Sequence, residues 1–143
     1  MAGITPLNLH ASTTPDEPAA ALVLEAFVDT LIPADATPAA STLGVDLEIL
    51  ESSRADLAYV HLIHLGCRWL NHQSGGDFTR LPEADRIPIL RWMEQADRRT
   101  LPALFFNRIR HQAMAIYYSK PPSWKGLGLN HPPQPLGYMD YRS

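Results

Sequence analysis

A chain of 143 residues has room for one domain with a modest core, and two independent domains would each be too small. With 45% hydrophobic and 19% charged residues the composition is globular, and a net charge of -3 argues against a nucleic-acid partner. No apolar run approaches the roughly 20 residues of a membrane-spanning helix, so direct membrane insertion is not expected.

Residues 1–13 are polar and aperiodic and read as a flexible N-terminus. Thr14-Pro15-Asp16-Glu17 then has the form of a helix start, with Thr14 as cap, Pro15 at the first helical position and Glu17 closing a capping box. Leu24, Phe27, Val28 and Leu31 follow at helical spacing, which predicts a first helix over about 15–32, ended by Pro33. Pro33 to Pro38 is a turn, and Thr37 before Pro38 repeats the cap-then-proline pattern.

From Leu43 to His72 there is no proline. Leu47, Leu50, Leu57, Val60 and His64 form one helical stripe, while Tyr59, Leu62, Ile63 and Leu70 form a second; a break near Glu51-Ser52-Ser53 would divide a short helix from a long one. After the turn Gln73–Asp77, a third segment runs over about 82–97 with Ile87, Leu90, Arg91 and Met93 on one face. Pro88 lies inside it, so that helix either starts late or bends. A last helix over about 101–118 would bury Leu101, Leu104, Phe105, Ile109 and Ile116. The fold class is therefore all-α, an irregular bundle of four or five helices over residues 14–119.

Residues 120–143 change in character to Pro, Gly, Tyr and Trp without helical period. They are too aromatic for a disordered linker and read as an extended docking tail. Prolines limit the entropy lost on docking, and Tyr and Trp supply interface anchors. The alternative is a tail that wraps its own domain.

Few groups suggest chemistry. His61, His64 and His72 share a helical face with Arg68, which would suit metal ligation or a stand-alone enzyme site as an alternative reading. No carboxylate completes that site, however, and Arg68 would repel a cation. Asp16, Glu17, Asp35, Asp46, Glu48 and Glu51 fall in caps and first helical turns, where they complement helix dipoles. Cys67, the only cysteine, excludes an internal disulfide and any Cys-built metal site; near His64 it reads as a small buried hydrophobe rather than a nucleophile. Arg98-Arg99 and Arg108-Ile109-Arg110-His111 are the most basic stretches, and solvation accounts for them best. No catalytic, cofactor-binding or metal residue is assigned.

Two segments read together carry a resemblance. One is Leu31-Ile32-Pro33-Ala34-Asp35-Ala36-Thr37-Pro38, followed by Gly44-Val45. The other is Phe105-Phe106, Arg108 and Arg110, then Tyr117-Tyr118-Ser119-Lys120-Pro121, Trp124, Leu127-Gly128 and Pro133-Gln134-Pro135-Leu136-Gly137-Tyr138. Over about residues 20–141 the chain resembles the gluconate 2-dehydrogenase subunit 3 family, the small subunits of bacterial flavin-dependent dehydrogenases of sugars, sugar acids and polyols.

The resemblance implies a non-catalytic subunit that binds, stabilises or helps mature and export a large subunit. That partner would be a glucose–methanol–choline (GMC) type oxidoreductase carrying FAD, often joined by a multihaem c-type cytochrome. It also implies a periplasmic location. Met1 to Ala20 has no secretory or twin-arginine pattern, so a cytoplasmic location and a signal removed or replaced both stay open. Gly128-Leu129-Asn130 departs from the family, where a second glycine is expected soon after the first. Candidate partner contacts are Tyr117, Tyr118, Pro121, Trp124, Pro133, Gln134, Pro135, Tyr138 and Tyr141.

Overall fold

The computed structural model describes residues 18–127, and within them the chain forms five α-helices and no strand. These are α1 (Ala20–Leu31), α2 (Val45–Ser53), α3 (Leu57–Gln73), α4 (Glu83–Gln95) and α5 (Leu101–Tyr117), with 3₁₀ turns at Ala40–Leu43, Phe78–Arg80 and Pro121–Leu127. The irregular all-α bundle expected from the sequence is the fold observed.

α1 packs against all four other helices and forms the centre of the core. Val23, Leu24, Phe27 and Val28 are fully buried, and the Phe27 ring meets Phe105 edge-on at 4.9 Å and Phe106 at 6.1 Å. Such edge-to-face pairs set the positive rim of one ring against the negative face of another. The helix begins at Ala20 rather than near residue 15, with Ala19 extended and no side-chain cap. A helix started at residue 15 would need the N–H of Pro18 to close its first turn on Thr14, and proline has none. The Thr14–Glu17 capping box lies outside the described residues.

Thr37 does not cap a helix. Its Oγ1 lies 2.9 Å from the Tyr117 hydroxyl, which is 2.6 Å from the Pro38 carbonyl. A phenol has one proton, so it donates to the carbonyl and accepts from Thr37. The following 3₁₀ turn is tied to α1 by Asp29, whose carboxylate accepts from the Ser41 N–H at 2.7 Å and the Ser41 hydroxyl at 2.6 Å. Gly44, at φ 75°, then turns the chain into α2, a left-handed conformation that glycine adopts without steric cost.

The break in the 43–72 region falls just after Ser53, and Asp56 caps α3 by accepting the Tyr59 N–H at 3.2 Å. Of the two stripes, the second is the buried one: Tyr59, Ile63 and Leu70 are inside. The first is not. Leu47 and Leu57 are 64% and 70% exposed, His64 is exposed, and α2 buries Val45 and Ile49 instead. Core space beside α2 is set by α1 and α5, which lie against its Val45–Ile49 side.

α4 starts at Glu83 and continues through Pro88, so it does not start late. Pro88 cannot donate to the Ala84 carbonyl, and both residues are exposed, where water can take that bond. Leu90 and Met93 are buried as expected, while Ile87 and Arg91 face solvent. In α5 the buried side is Ala103, Phe105, Phe106, Ile109, Ala113 and Tyr117, and Leu104 lies half outside.

Candidate functional site

The tail residues come first, since the sequence places partner contacts there. Tyr117 is 1% exposed and belongs to the core, so it has no surface to offer another protein. Its two hydrogen bonds instead fasten the end of α5 to the Thr37–Pro38 turn. Tyr118 is half-buried, edge-on to Tyr117 at 5.1 Å. Pro121 is exposed. Trp124 is half-buried, and its indole N–H donates to the Tyr118 carbonyl at 3.1 Å.

Residues 121–127 form a 3₁₀ turn rather than an extended segment, and Ser123 and Trp124 bond back to the residues that end α5. Lys120 pairs with Glu48 of α2, and the buried Ser123 donates to the Lys120 carbonyl at 2.7 Å. Pro133, Gln134, Pro135, Tyr138 and Tyr141 lie outside the described residues.

His61, His64 and His72 are all exposed on α3. Among the described residues no group of three or more His, Cys, Asp or Glu side chains is placed to hold a metal ion. Cys67 is 1% exposed, and its thiol donates to the Ala20 carbonyl at 3.6 Å. Burial pushes its pKa up to about 12, so it stays a thiol and not a thiolate nucleophile. His64 faces solvent while Cys67 faces the core, and the two do not share a site.

Asp46, in the first turn of α2, is buried, and its Oδ1 has no hydrogen-bond partner among the described residues. Burial raises its pKa above the usual carboxylate value, and hydrogen bonds from the backbone at Asp46 and Leu47 oppose the rise. Asp29 adds a smaller upward push, but its own carboxylate is held by Ser41. The two acids thus serve helix ends rather than form an acid–base pair. The basic stretches are also engaged: Arg110 pairs with Glu94 at 2.9 Å and Arg99 with Asp97 at 3.5 Å.

What sequence reading missed is the seam between α3 and α5. A cleft of about 330 Å³ opens there, lined by Ser52, Asp56, Tyr59, Arg108, His111, Gln112 and Ala115. The Tyr59 hydroxyl donates to Gln112 Oε1, and Gln112 Nε2 donates to Ser52 Oγ at 2.6 Å. Ser52 in turn donates to the Ile49 carbonyl at 3.1 Å, so its hydroxyl carries no base and is not activated.

The Arg108 guanidinium lies over the Tyr59 ring at 3.8 Å and 3.9 Å from the Asp56 carboxylate. Burial raises the Tyr59 pKa, and the Arg108 charge works against that. At the other end of α3, Trp69 stacks on Trp92 of α4 at 5.7 Å and 22°. The arrangement suits recognition: a fixed hydrogen-bond chain, a half-exposed cation and outward-facing aromatics.

Residues 18–133 match the family profile of gluconate 2-dehydrogenase subunit 3, and the chain belongs to that family. The family is that of a small subunit within a multi-subunit dehydrogenase complex. No curated protein and no solved structure matches the chain.

Proposed function

We propose that this protein is the non-catalytic small subunit of a bacterial FAD-dependent dehydrogenase, and that it binds and stabilises the catalytic subunit. The observation that carries this reading is the family match, which runs from residue 18 through the whole helical domain and into the tail as far as residue 133. The partner is a GMC-type flavoprotein that oxidises a sugar, sugar acid or polyol and binds FAD. The small subunit assists its maturation and its export to the periplasm, and a multihaem c-type cytochrome accepts the electrons.

Co-expression with a candidate flavoprotein tests this. The expected result is a stable complex containing FAD that oxidises a polyol or aldose with an artificial electron acceptor, and a flavoprotein that is less soluble or less active without the small subunit. A flavoprotein equally stable and active alone, with no complex on gel filtration, would overturn the reading.

A further inference from the structure

The 34 residues of α3 and α5 contain no carboxylate at all. They carry Arg68, Arg108 and Arg110 and four of the chain's six histidines, in a protein whose net charge is -3. The acidic side chains sit on the other helices: Glu25 and Asp29 on α1, Asp46, Glu48 and Glu51 on α2, and Glu83, Asp85 and Glu94 on α4. Carboxylates are therefore absent from the length of these two helices, which pack against each other; Asp56, the cap of α3, is the one that lines their cleft.

Their register follows from two contacts. Tyr59 meets Arg108 and Gln112, and Gly66 lies under Phe105, so α3 and α5 run antiparallel along a common seam. Leu65 (43% exposed) and Leu104 (50% exposed) consequently fall at the same level on it. One turn beyond Leu65, Trp69 carries the stacked Trp92, which is 58% exposed. One turn beyond Leu104 in the opposite direction lies Arg108, at the cleft. From Tyr59 to Trp69 the seam spans about 15 Å at the rise of an α-helix. It has apolar groups in the middle, paired tryptophans at one end and a guanidinium at the other. Large outward aromatics with a neighbouring Arg are the residue types that dominate binding hot spots.

We propose that this α3/α5 seam seats the catalytic subunit, and that it takes an acidic segment of that partner whose apolar side chains lie on Leu65, Leu104 and the Trp69–Trp92 pair. The inference rests on the accessory-subunit reading and adds the face and the chemistry of what it binds. The lack of carboxylates along α3 and α5, beside three arginines, selects the occupant. A carboxylate reaching Arg108 meets a half-exposed cation that lies 3.9 Å from Asp56 and over the Tyr59 ring.

The test is co-expression of the full chain with the FAD-binding large subunit, using Leu104→Glu and Arg108→Glu on the seam and Leu22→Glu on α1 as a control. The expected result is at least about a tenfold weaker association for each seam variant, with unchanged helix content and no effect at Leu22. Should a seam variant lose helix content, Trp92→Ser at its exposed site gives the same readout. Wild-type association should also weaken severalfold as salt rises from roughly 0.05 to 0.5 M.

A wild-type complex that every seam variant forms within twofold overturns the seam and leaves the accessory role standing. Failure of the wild type to form any complex overturns both. Salt-independent association overturns the acidic partner. Self-association of the isolated chain that Leu104→Glu abolishes overturns it in favour of a second copy.

Discussion

Phe105 lies across Gly66 so closely that a β-carbon on residue 66 would sit 2.1 Å from its Cδ1. Glycine at this point in α3 is a condition for the contact with α5, because the ring occupies the space any side chain would take. The same ring is braced from behind by Phe27 at 4.9 Å, so it has little room to withdraw.

Gly66→Ala is therefore expected to destabilise the domain. Alanine gains about 1 kcal/mol of helix propensity over glycine, and overpacking of this kind costs about 1–3 kcal/mol or more. A net loss on the order of 1–2 kcal/mol should appear in urea unfolding. A stability equal to or above that of the wild type would show that the ring is free to shift.

Removing the Tyr117 hydroxyl tests the fastening of α5 to the Thr37–Pro38 turn. Tyr117→Phe keeps the ring's packing and leaves the Pro38 carbonyl and Thr37 hydroxyl without that partner. The expected loss is about 1 kcal/mol, while Tyr117→Ala, which also empties core volume, should cost about 3–5 kcal/mol. Equal losses for the two variants would mean that the hydroxyl carries the whole contribution.

Cys67 is expected to resist alkylation in the folded protein at pH 8 and to react readily in denaturant, as mass spectrometry would show. Its thiol is held up at about 12 against an ordinary 9.0, so the folded state keeps the proton longer than the unfolded chain. Its contribution is complete below 9.0 and is lost as pH rises from there towards about 12. Cys67→Ala should flatten that alkaline loss. Rapid labelling of the native protein would contradict the burial of the thiol.

Asp46 carries the opposite region of the pH scale. Burial raises its carboxyl above 3.8, so the folded state again binds the proton more tightly. That contribution is full below 3.8 and is lost as pH rises through the folded value. Carboxyl carbon shifts in an NMR titration should place the Asp46 midpoint above that of an exposed aspartate. A midpoint at or below the ordinary value would mean that the backbone N–H bonds outweigh the burial.

Local rules made much of the architecture legible. Helical spacing, prolines and glycines placed four or five helices, and Glu51-Ser52-Ser53 marked where the break that makes them five falls. The proline rule also explains the one misplaced start: Pro18 has no N–H to close on Thr14 the first turn of a helix begun at Pro15. The family resemblance was carried by the Leu31–Pro38 turn and the aromatic residues after Phe105.

Which side of each helix faces inward was decided by tertiary packing. Leu47 and Leu57 have the same helical spacing as a buried stripe, yet they face solvent because α1 and α5 cover the Val45–Ile49 side of α2. Periodicity counts apolar residues on a face but contains nothing about which neighbour will fill it. Tyr117 shows the same limit: its composition suited an interface anchor, and the turn 80 residues away in sequence claimed it for the core. The Arg108–Tyr59 contact joins α5 to α3 across the seam, and no local pattern links the two residues. The sequence by itself thus determined helices, breaks and kinship, since these depend on neighbours along the chain. Only the folded structure decided the faces, because burial is a relation between segments far apart in sequence.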